Sequence, residues 1–498
     1  MEIPTVNIKS KKLIKPSTPT LATLRHHKMG FKDEVVAAIN IRIILFYSAM
    51  NAGPDSTINF ITRLENSLAQ CLSRLYPIAG RYNHQIRTIE CNDQGAEFIQ
   101  AHVRNNIKLQ DVLDPKLNPE MLNNFLPYGV CDAGEISDAL LAVQATVFEC
   151  GGLALGVSIS HKVADAATLC TFLNDWATLS RDETSLDSVH PMFNSADFLP
   201  AKGFMGYDPP LPRTVKHRFE NNYITKRLSF SDKAISMIRA KISAGRSYSR
   251  VQVVSAMIWK TLIDVDRAKH GSPRASMLIQ PVNIRGKTTP PIPIDSCGNL
   301  GGFIITGCSK AQTLMGIECL VDLLHNSIKK TVRELKNLSP ESDQLQTLVF
   351  NSFVKSETCD ELVSVFPLTS WCKFPFYQVD FGFGPPVWVA SSAGPVSMVT
   401  LMDGPGGCGV DAYVNLVGIS TEKDTWKLKV QILRLWKQAY QIDMILMDEK
   451  LEEGSTVAFS KFGVDVIVYV VSTTDMAVFN GAGKESKRIS FEIVNLRY

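Results

Sequence analysis

Apolar and polar positions alternate through LALGVSIS, where Leu153, Leu155, Val157 and Ile159 recur every second residue, the period of a strand with one buried face. His161 keeps that parity, so the pattern predicts an imidazole directed to the apolar side. From Asp165 the period lengthens, and Leu169, Phe172, Leu173 and Trp176 fall on one helical face. His161 thus lies on a strand-to-helix corner, a place that presents side chains to clefts. Upstream, Leu141, Val143, Ala145 and Val147 alternate toward Gly151-Gly152, which predicts a hairpin with the His161 strand. Farther upstream, Ile61, Leu64, Leu68, Leu72 and Leu75 predict a packing helix near 58–75, stopped by Pro77.

Downstream the periodicity breaks near Asn194 to Pro212, in FNSADFLPAKGFMGYDPPLPR, which predicts a crossover between domains. Beyond it, Ser231 and Ser249 are caps for two helices, one with Ile235, Ile238 and Ile242 and one with Val254, Ile258 and Leu262. A longer helix is expected to carry Leu314, Ile317, Val321 and Leu324, and strands are expected at Val387–Val389 and Met398–Met402. The class is mixed α/β. At 498 residues the chain exceeds one core, since cores stop growing at about 250–300 residues. The expected division is 1–200, a linker at 201–222, and 223–498.

Composition narrows the classes. Hydrophobic content of 45% with 20% charged residues is that of a soluble globular protein. A net charge of +3 without a basic block argues against nucleic acid as a partner. The 11 cysteines are odd in number and form no C-x-x-C pair, the usage of a reducing compartment. No run approaches the roughly 20 apolar residues of a membrane helix, and the first residues lack a secretory core. A cytoplasmic protein without membrane contact is expected.

Among nine histidines only His161 has an aspartate four residues on, a pattern that by itself fits a core histidine bonded to backbone better than a catalytic one. GPGGCG at 404–409 lies between two strand-like runs and reads as a hairpin loop, because a dinucleotide site needs a helix to follow. Asp380-Phe381-Gly382 matches the kinase metal-binding triplet but lacks its companion motifs. No G-x-S-x-G elbow and no zinc spacing occur, so neither nucleophile nor metal is indicated. Leu401-Met402-Asp403 and Gly409-Val410-Asp411 recur loosely as Leu446-Met447-Asp448 and Gly463-Val464-Asp465, by coincidence or through a duplicated or mis-joined segment.

Taken together, HKVAD at 161–165 and DFGFG at 380–384 resemble the signature pair of the plant BAHD acyltransferases. The resemblance extends to LYPIAGRY, FLNDWA, SRVQVVSAMIWK, VNIRGKTTPPIPIDSCGN and TSWCKFPFYQVDFGFGPPVWV, over about residues 5–416. Within the family the chain is most similar to the vinorine synthase and salutaridinol acetyltransferase branch. The resemblance implies two similar-sized mixed-sheet domains of the chloramphenicol-acetyltransferase-like fold, with a channel between them. It implies acyl transfer from a coenzyme A thioester, here acetyl-CoA as co-substrate with no bound cofactor, to a hydroxyl of an alkaloid or similar metabolite. Transfer of a bulkier group such as benzoyl or hydroxycinnamoyl, N-acylation, and an impaired coenzyme-binding relative are the alternatives.

Residue by residue, the resemblance makes His161 the general base and pairs Asp165 with Arg285 as structural support. Asp380 is counted with His161 in the site, although the resemblance implies that it lies away from the reacting atoms and shapes the channel. Ser370 and Trp371 match positions near the reaction centre, where they would meet the oxyanion, and Ser255 and Lys260 are expected at the coenzyme. The family usually has Trp where this chain has Phe383 and a basic residue where it has Pro385. Residues 417–471 read as an atypical insertion, from retained intron sequence or a gene-model error, ahead of STTDMAVFN at 472–480. A monomer is expected, as is usual in the family.

Overall fold

The computed structural model describes residues 5–37, 39–48, 54–83, 85–105, 107–114, 118–127, 139–181, 191–203, 223–242, 245–358, 362–391, 394, 397–417, 454–460 and 465–471, and every count below refers to these. The first half supplies strands β1 (Val6–Ile14), β2 (Asn40–Tyr47), β3 (Ala96–Val103), β4 (Leu141–Val147) and β5 (Leu153–Ser160). The second half supplies β6 (Tyr223–Phe230), β7 (Ala275–Asn283), β8 (Gly301–Cys308), β9 (Val363–Ser370), β10 (Trp388–Ser391), β11 (Met398–Asp403) and β12 (Val410–Val417). Two six-stranded sheets result, ordered β1-β3-β4-β5-β2-β10 and β6-β12-β11-β9-β7-β8. Both are mixed: β3 and β4 run parallel, as do β7 with β9 and β9 with β11.

β4 and β5 form the antiparallel pair that the alternation predicts. Their burial differs from the expectation of one covered face, because β5 is enclosed on both. The second face carries Ala154, Gly156 and Ser158, and a Cβ on Gly156 would stand 1.9 Å from the carbonyl oxygen of Phe125. Glycine there lets the 119–125 turn press against the sheet. β2, central between β5 and β10, is correspondingly an almost unbroken buried run.

The helices follow their caps. After the short α1 (Phe31–Val35), α2 (Pro54–Arg74) and α3 (Ala166–Arg181) lie together on the first sheet, where Trp176 Nε1 donates to the Leu64 carbonyl at 3.1 Å. α4 (Asp232–Ile242) begins beside Ser231, whose Oγ accepts from Ala234 N at 3.2 Å. α5 (Arg250–His270) opens with a reciprocal Ser249–Gln252 capping box. α6 (Ile317–Lys336) and α7 (Asp343–Glu357) complete the second half. The single long helix expected through Leu314 is instead a short turn at Lys310–Thr313, capped by Ser309, followed by α6 with Gly316 at its N-cap. Leu314 falls in the break and is 58% exposed.

The second half does not stay on its own sheet. Residues 376–391 return to the first: β10 pairs antiparallel with β2, Trp388 stacks on Phe46 at 5.1 Å, and Tyr47 Oη donates to the Val379 carbonyl at 3.0 Å. From the second sheet Arg227 lies 4.3 Å over the Trp388 ring and pairs with Asp411 at 2.8 Å, which ties the two layers. GPGGCG joins β11 to β12 as a hairpin loop. In the tail, 454–460 and 465–471 pair as an antiparallel hairpin. Most of the expected linker, the 418–453 part of the expected insertion with its LMD repeat, Gly463-Val464, and STTDMAVFN lie outside the described residues.

Candidate active site

β5 ends at Ser160, and the His161 amide extends the ladder by one bond to the Ile39 carbonyl at 2.8 Å. A turn follows, with Val163 N donating to the Ser160 carbonyl at 3.1 Å, and Asp165 then caps α3 by accepting from Thr168 N at 2.8 Å. His161 is half-buried, and its Nδ1 is enclosed without a hydrogen-bond partner. Burial holds the imidazole below its ordinary value of 6.5; the approach of its own backbone, the Asp165 charge and the Asn299 side chain oppose that, and the Lys32 charge adds to it. A neutral imidazole able to take a proton is the result at neutral pH.

Asp165 and Arg285 form a two-pronged ion pair, Nη1 to Oδ2 at 2.7 Å and Nη2 to Oδ1 at 3.2 Å. Arg285 is 2% exposed and also donates to the carbonyls of Ser296 at 2.6 Å and Gly298 at 2.9 Å. Asp165 further accepts from Leu300 N at 3.2 Å. Burial would raise this carboxyl, but the guanidinium charge and the hydrogen bonds outweigh it and hold it below the usual range. The carboxylate is therefore spent on Arg285, Thr168 and Leu300.

Periodicity gave no sign of Asp33 and Asn299. Asp33 is 1% exposed and accepts from Gly30 N at 2.7 Å, Ser195 Oγ at 2.8 Å, Asn299 N at 3.0 Å and Asn299 Nδ2 at 2.8 Å. The same Nδ2 donates to the His161 carbonyl at 2.7 Å. A buried carboxylate thus fixes, through one amide, the backbone of the histidine. The available signal was a charged residue between the core positions Phe31 and Val35.

Asp380 is not brought to His161. Its Oδ1 accepts from the amides of Gly382 at 2.7 Å, Phe383 at 3.1 Å and Gly384 at 2.9 Å, closing its own loop. Arg63 donates to the Phe381 carbonyl at 2.9 Å, and Arg181 donates to that of Asp380. Phe381 is fully buried against Trp176, and Phe383 packs edge-on to Tyr47 and Phe60 at 4.8 and 4.7 Å. This loop packs at the Tyr47 end of β2, whereas His161 bonds at the Ile39 end, roughly 25 Å away at about 3.3 Å per residue. A proton cannot pass directly between groups so placed, so the expectation that counts Asp380 with the catalytic base is corrected to a loop-closing carboxylate.

Ser370 ends β9 opposite Leu401, and Trp371 N donates to the Leu401 carbonyl at 2.8 Å while its ring packs against the first core. These two stand at the seam of the halves. Ser255 and Lys260 do not. Ser255 is fully buried in α5, and Lys260 Nζ donates to Asp264 at 3.1 Å and to the Thr313 carbonyl at 3.1 Å. A sealed hydroxyl and an ammonium already matched by a carboxylate argue against the coenzyme contacts expected of them.

Two mixed sheets joined by a crossing strand, with a neutral histidine held between segments of both halves, define an α/β protein of the two-domain, coenzyme-A-dependent acyltransferase fold. The chain belongs to the Transferase family, whose model matches residues 4–423, and is an acyltransferase of the BAHD type. It is 34% identical to vinorine synthase of Rauvolfia serpentina over 443 residues, 86% of this chain and 96% of that one. It is 35% identical to stemmadenine O-acetyltransferase of Catharanthus roseus, covering 83% and 94%. A Salvia splendens pelargonidin 3-O-(6-caffeoylglucoside) 5-O-(6-O-malonylglucoside) 4'''-malonyltransferase is 34% identical over 82% and 95%. The crystal structure of vinorine synthase superposes with a TM-score of 0.73 at 31% identity, covering 86% and 98%. F. sporotrichioides TRI101 complexed with coenzyme A and T-2 shares the fold, with a TM-score of 0.62 at 16% identity over 80% and 96%. Among the described residues no helix is long and apolar enough to cross a membrane.

Proposed function

We propose that this acyltransferase moves an acetyl group from acetyl-CoA to a hydroxyl of an alkaloid or similar polycyclic alcohol, with His161 as general base. The observation that carries the reading is the neutral His161 ring, its Nδ1 enclosed, at a corner fixed through Asn299 and through Asp165–Arg285. An alcohol is a poor nucleophile. The imidazole takes its proton as the oxygen attacks the thioester carbonyl, a contribution of typically about 10²- to 10⁴-fold. The tetrahedral intermediate places negative charge on the former carbonyl oxygen, where the Ser370 hydroxyl or Trp371 indole N–H would donate. Collapse expels the coenzyme thiolate, which takes the proton back from the imidazolium, and no acyl-enzyme forms.

Asp165 does not orient the ring as in a serine-protease triad; with Arg285 it keeps the corner rigid. Asp380 closes the loop that carries β10 across to the first sheet and so shapes the channel between the domains. The acetyl donor is supported by the named activity of stemmadenine O-acetyltransferase. The malonyltransferase relative favours a second reading in which the acyl group is larger and charged. The protein acts as a cytoplasmic monomer, and of residues 417–471 those beyond Val417, the last residue of β12, are an addition to the acyltransferase fold. Free-thiol release from acetyl-CoA, offered a pool of hydroxylated alkaloids and run beside His161→Ala, tests the reading. Acceptor-dependent release that vanishes in the variant is expected; release that persists there removes His161 from its role.

A further inference from the structure

α1 is stitched to the His161 corner on both sides of Lys32's neighbours. Asp33 reaches the His161 carbonyl through Asn299, and Lys162 Nζ donates to the carbonyls of Asp33 at 3.4 Å and Glu34 at 3.1 Å. Lys32, on the same short helix, extends over two aromatic rings, with Nζ 4.4 Å from the Phe303 centroid and 5.3 Å from that of Phe353. Among the described residues it donates no hydrogen bond and forms no ion pair. An ordinary surface lysine lays its stem on apolar surface and puts its ammonium in water. Lys32 instead keeps its charge against aromatic faces, which offset only part of the lost hydration.

The charges around it are Glu357 from α7, Asp33 on its own helix, and His161. Burial is the largest influence and pulls the ammonium down to about 8, against the upward pull of Glu357 and Asp33. The effect reaches the base, because the Lys32 charge is among those that lower His161. A half-buried cation acting on the base, beside apolar rings and without a bonded acid, is the electrostatic complement of an anion.

We propose that Lys32 is a specificity-determining residue: its ammonium receives a carboxylate carried by one of the two reactants, either an acyl donor of the malonyl type or an acid-bearing alcohol. The inference rests on acyl transfer at His161. An anion placed there offsets the lysine charge, so the correct reactant also makes His161 a stronger base. The same ammonium repels a protonated amine, so an alkaloid would enter as its free base or with its own carboxylate.

The test reads binding without turnover. Protein carrying His161→Ala is titrated calorimetrically with malonyl-CoA and with acetyl-CoA, then with 4-(hydroxymethyl)benzoate and with its methyl ester, at pH 7 and pH 9.5. The anionic member of one pair should bind about tenfold tighter at pH 7, with the preference shrinking at pH 9.5 as the lysine loses its proton. Preference within the first pair assigns the carboxylate to the donor, and within the second to the acceptor. Adding Lys32→Met should abolish it, while Lys32→Arg should keep it at both pH values and serves if the methionine variant does not fold. Equal or absent binding of both members in both pairs overturns the proposal, as does a preference that survives Lys32→Met. A silent thiol-release assay counts against the proposed reaction and leaves this comparison to be judged by itself.

Discussion

Asp165→Ala strands a fully enclosed charge beside the base, that of Arg285. The Arg285 side chain is 0% exposed and would keep the Ser296 and Gly298 carbonyls while losing its only counter-charge among the described residues. The amides of Thr168 and Leu300 would lose acceptors as well. Removing one partner of a buried pair costs about 3–5 kcal/mol, and the stranded amides make the upper figure the better expectation. That is a large share of a stability of about 5–15 kcal/mol. Urea unfolding followed by tryptophan fluorescence reads it, because Trp176 is fully buried one helix face from Asp165. Combining Asp165→Ala with Arg285→Met should recover about half of the loss, since removing both charges spares the desolvation of either. The carboxyl is held below 3.8 in the fold, so its contribution is complete above about pH 4 and is lost as pH falls through the folded value. Parent and variant should therefore converge only once the pH has fallen below that depressed folded value. An Asp165→Ala protein within about 1 kcal/mol of the parent at pH 7 would refute this account of the pair, given the error of such extrapolations.

Other substitutions separate the remaining roles. Asp380→Asn keeps an oxygen for the three loop amides and should retain most activity, whereas Asp380→Ala should destabilise by about 1–3 kcal/mol for the unsatisfied donors, measured by the same unfolding. Gly382→Ala should lower soluble yield, because Gly382 has φ +98° and its Cβ would lie 3.3 Å from Arg63 Nη2. His161 has a folded value below 6.5, so kcat should stay flat from pH 7 to 8 and decline only as pH falls past that depressed value. Asn299→Ala frees the His161 carbonyl and leaves Asp33 short of one bond, since the backbone amide at 299 still donates to it; kcat should fall more than KM rises.

The parts legible in the sequence were local. The 153–176 corner, the β4–β5 hairpin and the GPGGCG loop were readable because period and turn residues report on neighbours along the chain. The resemblance supplied the pairing of Asp165 with Arg285, which no periodicity could bring together across 120 residues. Three features escaped for the same physical reason. Asp33 is buried by partners at 195 and 299, so beyond its place between Phe31 and Val35 nothing local marks it as more than a surface acid. Val387–Val389 reads as a strand, but which sheet takes it is decided by the stretch Ile43–Phe46, far earlier in the chain. Lys260 has a carboxylate partner one turn on at Asp264, but its second acceptor, the Thr313 carbonyl, lies in another segment. Leu314 failed differently: its spacing fits α6, but Ser309 and Gly316 each start a helix, and capping overrode periodicity.

The central claim is that His161 removes the proton of the attacking alcohol. It is tested most directly by single-turnover acetyl transfer from acetyl-CoA with parent and His161→Ala, after calorimetry has matched their coenzyme binding. The account predicts equal binding with the transfer rate reduced about 10²- to 10⁴-fold. Equal binding with an unchanged rate would contradict it.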